Sequence, residues 1–367
     1  MSKDFIKLSD VLIPQPKSKI KAGKGKNTGK YKFFTSSNSQ NKFVDEYQYD
    51  EPALIFGTGG SASIHFCDEK FATSTDCLVF FAEEKQLLKS IYLYLSGNMW
   101  ILENGFKGAG LKHISKQYIL NISFSLPEIN EQCRIAAVLD KISNLITKRR
   151  QQLDKLDEMV KARFVEMFGT LSHPSQKFKY DILKNLCRKI TDGKHGGCTP
   201  QLGSGRYFVG AREIFDDAVH YETAPEIAID EFEKDYKRCN LEIGDLLIVN
   251  TGATIGKSAI ACDFRTQHTL LQKSVALLKV KSELINPVFL KYCYRVNETM
   301  YKVESASAQP NLLLSKINTT SIYVPPMALQ NQFAAFVEQT EKSKTTISRS
   351  LEQLETLKKA LMQEYFG

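Results

Sequence analysis

No apolar run in this 367-residue chain reaches 18 residues, so the sequence offers no helix to span a bilayer. The lysine-bearing start has no signal-peptide core, and the expected location is the cytoplasm, with no membrane partner. The eight cysteines, at 67, 77, 133, 187, 198, 239, 262 and 293, never form CxxC, which argues against zinc or disulfide frameworks and predicts free thiols in a reducing compartment. The six histidines are scattered, His195 lying in the loop sequence Asp192-Gly193-Lys194-His195-Gly196 as a contact rather than a catalyst. Acids are missing from residues 17–32, and neither glycine nor proline interrupts Ile129 to Phe168.

Chemistry is also scarce. The stretch NTGATIGKS, Asn250–Ser258, imitates a phosphate-binding loop, but the first glycine would have to sit at 251, which is Thr251. Pro225-Glu226 with Asp235-Tyr236-Lys237 echoes a metal-dependent nuclease only loosely. Val324-Pro325-Pro326-Met327 lacks the amide and the aromatic of an amino-methylation tetrad, and Phe56-Gly57 supplies no cofactor loop. No catalytic constellation, metal site or cofactor is expected in this chain.

What is present is one stretch written twice. Leu126–Gly169 and Val324–Gly367 align without a gap, and roughly a quarter of positions are identical, including Pro127/Pro325, Gln132/Gln330, Leu153/Leu351 and Leu156/Leu354. Proline opens each copy and Phe-Gly closes it, as at the ends of a helix. Apolar residues recur every three or four positions: Ile135, Leu139, Ile142, Ile146, Leu153, Leu156, Val160 and Met167, with Arg149 and Arg163 in the missing seats. The second copy gives Phe333, Val337, Ile347, Leu351, Leu354, Leu361 and Tyr365, with Thr340, Lys344 and Lys358 between. A 3.5-residue period sustained this long predicts two coiled-coil rods of about 58 Å, paired antiparallel about a pseudo-two-fold axis.

Each rod follows a globular unit. In residues 1–125, seven lysines (Lys17, Lys19, Lys21, Lys24, Lys26, Lys30, Lys32) are interleaved with glycines, which suits a mobile loop and equally a phosphate-contacting one. Aromatics and short polar side chains follow, ending in Ser36, Ser37 and Asn38. Ala53–Phe66 reads as strand, glycine turn, strand; Cys77–Phe81 as a buried strand; Leu87–Leu95 as a helix; and Ser115–Pro127 as a returning strand. In residues 170–323, Asp245–Asp263 parallels the first strand pair, with Thr58/Thr251, Gly59/Gly252 and Cys67-Asp68/Cys262-Asp263 as the matches. Ser274–Val280 is a strand, Pro287–Val296 a helix, and Gln309–Ile317 leads toward the second rod. The expected fold is an internally duplicated α+β protein: domain 1–125, helix 126–169, domain 170–323, helix 324–367.

With LPEINEQ at Leu126–Gln132, VPPMALQNQ at Val324–Gln332, GDLLIVNTGATIGK at Gly244–Lys257 and KYKFFTSS at Lys30–Ser37, the chain resembles the specificity (S) subunit of type I restriction–modification systems. One departure is Met327-Ala328-Leu329-Gln330, where an acidic residue often precedes the glutamine. The resemblance implies two target-recognition domains, each reading one half of a split double-stranded DNA sequence. The rods would set the spacer and dock methyltransferase (M) subunits, and motor-nuclease (R) subunits would join that core. Methylation, ATP hydrolysis and cutting would then belong to partners. A net charge of +8 favours the same anionic partner. Candidate DNA contacts are the seven lysines with Ser36, Ser37, Asn38 and Thr58 in the first unit. In the second they are Lys194, His195, Arg206, Arg212, Asn250, Thr251, Lys257, Gln309 and Asn311. A scaffold whose coiled coil is the function, and an enzyme holding phosphate through Lys257, are the alternatives.

Overall fold

The computed structural model describes residues 6–108, 110, 112–124, 129–302 and 311–366, with 129–133 and 366 described by backbone alone. It divides into two units, Met1–Arg150 with Ser348–Gly367, and Gln151–Ile347. No described helix is long and apolar enough to cross a membrane. Among the described residues the seven cysteines are free, and no cluster of His, Cys, Asp or Glu is placed to hold a metal.

In the first unit an antiparallel sheet runs in the order Ile13–Pro14, Cys77–Phe81, Ala53–Gly57, Ser63–Cys67. The central strand is buried throughout because both of its faces are covered. Leu54 and Phe56 pack with Leu88, Ile91 and Leu95 of the helix Lys85–Gly97. Ala53 and Ile55 pack on the opposite side with Phe34 and Phe71. Those two phenylalanines belong to a second sheet, in which Tyr31–Phe34 runs parallel to Phe71–Thr73 and antiparallel to Lys42–Val44.

The second unit repeats this plan. Its sheet order is Cys187–Asp192, Val275–Val280, Leu246–Val249, Ser258–Ile260. Leu246 and Ile248 face the helix Pro287–Val296, while Leu247 and Val249 face Val209 and Leu271 of the parallel pair Tyr207–Val209 and Thr269–Leu271. A short terminal pairing accompanies each sheet, Ile6–Lys7 with Ser123–Phe124 and Lys179–Ile182 with Ser321–Val324. The second unit adds the hairpin Ile214–Phe215/Ala218–Val219, whose turn residues Asp216 and Asp217 both have positive φ, and the helix Ile229–Cys239.

Pairing fixes the correspondence between units, and it differs by one residue from the sequence match. Leu54 lies opposite Phe80 and Phe66; Leu246 lies opposite Leu278 and Ile260. Thr58 therefore corresponds to Asn250, not Thr251, and Cys67 to Ala261, not Cys262. A one-residue slip would turn every buried strand residue to the wrong face, so the strands override the Thr-Gly likeness of the turns. The expected strand Ser115–Pro127 is also corrected. Lys116–Leu120 is helical, capped by Ser115 Oγ accepting from the Tyr118 amide at 3.1 Å, and only Ser123–Phe124 is extended. Residues 125–128 lie outside the described set.

The long helices span Ile129–Phe168 and Met327–Phe366, 40 residues each and therefore about 60 Å long. In the first unit Ile135 and Leu139 pack with Leu361, Met362 and Tyr365, and Arg150 pairs with Glu355 at 2.7 Å. In the second, Asp157 pairs with Lys344 at 3.0 Å, and Phe164 and Phe168 meet Phe333 edge to face. Numbers rise on one helix as they fall on the other, so the contacts within each unit are antiparallel. Of the anticipated stripe, Ile135, Leu139, Ile142, Ile146, Phe333 and Val337 are buried, whereas Leu153, Leu156, Ile347, Leu351 and Leu354 are half-buried. The stripe is not 3.5-periodic to its end. Val160 is followed by Phe164 and Phe168, fully buried, rather than by Arg163 and Met167. Spacing of four turns both rings toward the globular core, where Phe168 meets Phe289 with centroids 4.9 Å apart. Phe164→Ala should destabilise the protein by about 3–5 kcal/mol through the cavity left in this cluster, measured by denaturant unfolding.

Candidate nucleic-acid interface

At one end of the first unit's central strand the chain turns through Thr58-Gly59-Gly60. The Thr58 amide donates to the Asp76 carbonyl at 2.8 Å, and its hydroxyl reaches the same oxygen at 3.0 Å. Ser36 Oγ donates to that carbonyl at 2.7 Å and accepts from the amides of Thr58 and Gly59. Gly57 must be glycine here, since a Cβ would lie 2.1 Å from Ser63 Oγ and 2.9 Å from Ser36 Cα. His113 Nδ1 sits 3.0 Å from the Thr58 carbonyl, and His65 Nε2 sits 2.7 Å from the Ser37 carbonyl. Burial pushes the His65 imidazole below its ordinary value. The structure thus brings together Ser36, Ser37 and Thr58, with Asn38 exposed beside them.

The second unit builds the same end with other side chains. The Asn250 amide donates to the Ser274 carbonyl at 3.0 Å, as Thr58 does to Asp76. The Leu312 amide donates to the Asn250 carbonyl at 2.7 Å, as Ile114 does to Thr58 at 3.2 Å. Thr251 Oγ1 lies 3.3 Å from Asn250 Oδ1 and 3.2 Å from Asn311 Oδ1. Lys257 is exposed where the turn rejoins the sheet, its carbonyl accepting from the Val249 amide at 2.8 Å. A strand, not a helix, follows Lys257, so the amides needed to ring a phosphate are absent from this turn. Nucleotide binding through Lys257 has no geometric support.

The lysine-rich stretch is folded rather than a free loop. Ser18 Oγ donates to the Thr73 carbonyl at 2.6 Å, the Thr75 amide donates to the Ile20 carbonyl, and Lys26 bridges Phe43. Thr75 precedes Asp76, so this stretch runs beside the turn just described. Lys17, Lys19, Lys21 and Lys24 are exposed and without ion pairs among the described residues. Lys26 pairs with Asp45 at 2.7 Å, Lys32 with Glu69 at 3.2 Å, and Lys30 lies over the Tyr31 ring.

The corresponding segment of the second unit begins at Lys194, whose carbonyl accepts from the Lys273 amide as Ile20 accepts from Thr75. Here the charge is neutralised: Lys194 Nζ lies 2.8 Å from Asp235 and 3.0 Å from Glu231, both on the added helix Ile229–Cys239. Bonds to Asp235 and Glu231 hold the Lys194 ammonium above its ordinary value. Bonds from the Thr199 hydroxyl, Lys194 and the Thr199 amide hold the Glu231 carboxyl down to about 2. Lys194 is therefore a structural cation and a poor phosphate ligand. Arg206 lies over the Phe232 ring at 5.0 Å, at the opposite end of its strand from the turn residues. His195 and Arg212 are exposed, and Gln309 lies outside the described residues.

Sequence reading missed exposed Lys107, Lys112 and His113 in the first unit and Lys273 in the second. The signal for His113 was available, because the gapless alignment of the long helices, carried upstream, sets His113 against Asn311. Lys107 bridges His113, and Lys273 occupies the turn between Gln272 and Ser274; neither belongs to a motif.

Two similar units, each ending its sheet in a pinned turn ringed by exposed polar and basic groups, and no catalytic cluster among the described residues, define a duplicated recognition protein. The signature described as "Type I restriction modification DNA specificity domain" matches residues 2–157 and again 201–356, and the chain belongs to that family. As a specificity subunit it is non-catalytic. A type I restriction enzyme MjaVIII specificity subunit from Methanocaldococcus jannaschii is 23% identical over 330 residues, 84% of this chain and 76% of its own length. The EcoDI specificity subunit of Escherichia coli is 31% identical over 153 residues, 41% of this chain and 33% of that one. The fold resembles the crystal structure of a type I S subunit from M. genitalium, with a TM-score of 0.63 at 15% identity, covering 99% of this chain and 96% of the other. A chain from a study of type I restriction–modification complex assembly gives 0.56 at 14% identity, covering 99% and 97%.

The Glu231 cluster has a defined pH response. Its folded value lies below the ordinary 4.5, so its stabilisation is full above that and is lost as pH falls through about 2. Carboxyl-carbon NMR should show Glu231 titrating near that lower value. Titration in the usual carboxylate range would mean that the bonds to Thr199 and Lys194 do not form in solution.

Proposed function

We propose that each unit reads one half of a split double-stranded DNA target through the turn-bearing end of its sheet, and that the long helices form an antiparallel coiled coil setting the unspecified spacer. Residues 1–125 and 170–323 are then the two target-recognition domains, and 126–169 and 324–367 are the helices, arranged about a pseudo-two-fold axis. Methyltransferase subunits dock on the helices, motor-nuclease subunits join them, and the complex works in the cytoplasm. The observation that carries this reading is the repeated strand-end turn, pinned by equivalent backbone bonds from Asp76 and Ser274 yet lined by different side chains. A duplicated reader also matches duplex DNA, whose strands are related by two-folds. Phosphate contacts from the lysines position each domain, while turn side chains at base edges supply sequence.

Two measurements test it. Replacing Lys17, Lys19, Lys21 or Lys24 singly by alanine should weaken binding of the assembled complex evenly across sequences, lowering the slope of log K against log salt by about 0.9 for each lost contact. Lys26 and Lys32, already paired with Asp45 and Glu69, should matter less. Unchanged slopes throughout would favour a scaffold whose lysines are merely solvated.

The spacer role is tested by inserting seven residues near Leu153 and seven at the facing position of the second helix. A heptad preserves the apolar stripe and moves the domains about 10 Å apart. The methylated target should then lengthen by roughly three base pairs, with both half-sites unchanged and affinity lowered by the accompanying DNA twist. Methylation mapping that returns the old spacer would refute the ruler.

A further inference from the structure

We propose that Arg212 is a base-reading side chain of the second unit, its guanidinium forking onto a guanine edge in the major groove; this rests on the reading above and names a specificity residue within it.

All seven arginines of residues 151–347 are described, and six are engaged within the protein. Arg163 pairs with Glu166, and Arg188 Nε reaches the Val280 carbonyl. Arg206 covers Phe232, and Arg238, Arg265 and Arg295 bind Asp192, Asp263 and Asp217. Arg212 alone among them has no hydrogen bond, ion pair or ring contact with the described residues, and it is exposed. Its nearest carboxylate in sequence, Glu213, is already committed, accepting from the Gly210 amide at 2.8 Å.

The backbone beneath Arg212 is held firmly. The Ala211 amide donates to Ser274 Oγ at 3.1 Å, and Ser274 Oγ donates to Gln272 Oε1 at 2.9 Å. A Cβ at Gly210 would lie 2.4 Å from Gln272 Oε1, so the turn is seated directly on Gln272. Ser274 also supplies the carbonyl that anchors Asn250, which places Arg212 on the same pinned turn cluster. The parallel strands set Phe34 against Val209, and counting on three residues sets Ser37 against Arg212. One position of the shared framework thus carries a hydroxyl in one unit and a guanidinium in the other.

A phosphate contact needs only a charge, and exposed Lys257 and Lys273 supply that at this end. A planar fork on a fixed turn supplies geometry, matching O6 and N7 of guanine. The bidentate contact also separates Arg from Lys, which keeps the charge and loses the fork.

The test is selection from a randomised duplex library by the full chain assembled with its methyltransferase subunits, comparing wild type, Arg212→Ala and Arg212→Lys. Both variants should lose a guanine preference of about ten- to a hundredfold at one position of one half-site, with the other half-site unchanged and the salt slope of Arg212→Lys retained. An unaltered consensus overturns the assignment, whether binding is intact or is uniformly weaker with a salt slope reduced by about 0.9. The functional reading survives those results, because wild type still enriches a split sequence. Wild type enriching no sequence overturns both.

Discussion

The antiparallel return of the last helix is the constraint on which both units depend. A helix with an apolar stripe cannot hide it alone, and each half of each long helix finds its cover in the other one. In the second unit Phe164, Phe168 and Phe333 meet around Phe289, which lies on the helix that also covers Leu246 and Ile248 of the sheet. Long helices, short helix and sheet are therefore one continuous packed body within that unit. In the first unit Leu93, from the helix covering the sheet, packs with Ile135, Leu139 and residues of the returning helix. Interiors this densely packed deform little, so a turn at the sheet's end is positioned by helices it never touches.

Upon that body the polar design is uneven. Much of the second unit's cationic charge is consumed internally: Lys279 by Asp245 and Glu242, Lys291 and Arg295 by Asp217, Lys194 by Glu231 and Asp235. The clamp on Asp217 ties the added hairpin to the helix Pro287–Val296, and the clamp on Lys194 ties the added helix to the sheet. In the first unit Lys17, Lys19, Lys21 and Lys24 have no such partners among the described residues. Two copies of one fold thus spend similar residues differently, on attachment of insertions in one and on an exposed basic face in the other.

The sequence displayed what repeats and what alternates. The gapless helical copies, the strands Ala53–Gly57 and Cys77–Phe81, and the helix Pro287–Val296 were readable because a buried element imposes its period on consecutive residues. Failures occurred where distant partners decide. Lys194 reads in sequence as a candidate DNA contact because the carboxylates that engage it lie some forty residues on. The lysine-rich stretch suited a mobile loop as well as a phosphate-contacting one, because its anchors, Phe43, Thr73 and Thr75, belong to other segments. Arg163 and Met167 were given seats that Phe164 occupies and Phe168 continues, since a pattern of period 3.5 does not reveal where a helix leaves its partner for a globular core. The one-residue misalignment of the turns had the same origin: local Thr-Gly identity is weaker than four buried strand residues.

The corrected correspondence also shows which parts of the turns can vary. The bonds common to both turns run between backbone groups, Thr58 to Asp76 and Asn250 to Ser274, Ile114 to Thr58 and Leu312 to Asn250, while Ser36 Oγ in one unit and Ser274 Oγ in the other add side-chain bonds. A backbone bond constrains position and leaves side-chain identity free, apart from the glycines where atoms approach too closely. Corresponding positions therefore carry Thr58 or Asn250, Ser36 or Ala211, Ser37 or Arg212, His113 or Asn311, with the same strands beneath them. A hydroxyl, an amide, an imidazole and a guanidinium present different donors and acceptors to a base edge. Of these, Ser37, Arg212 and His113 are exposed, and substitution there is cheap for folding and, under the proposed function, consequential for recognition. Asn250, by contrast, is buried, and a substitution there, as in the strand behind it, costs stability.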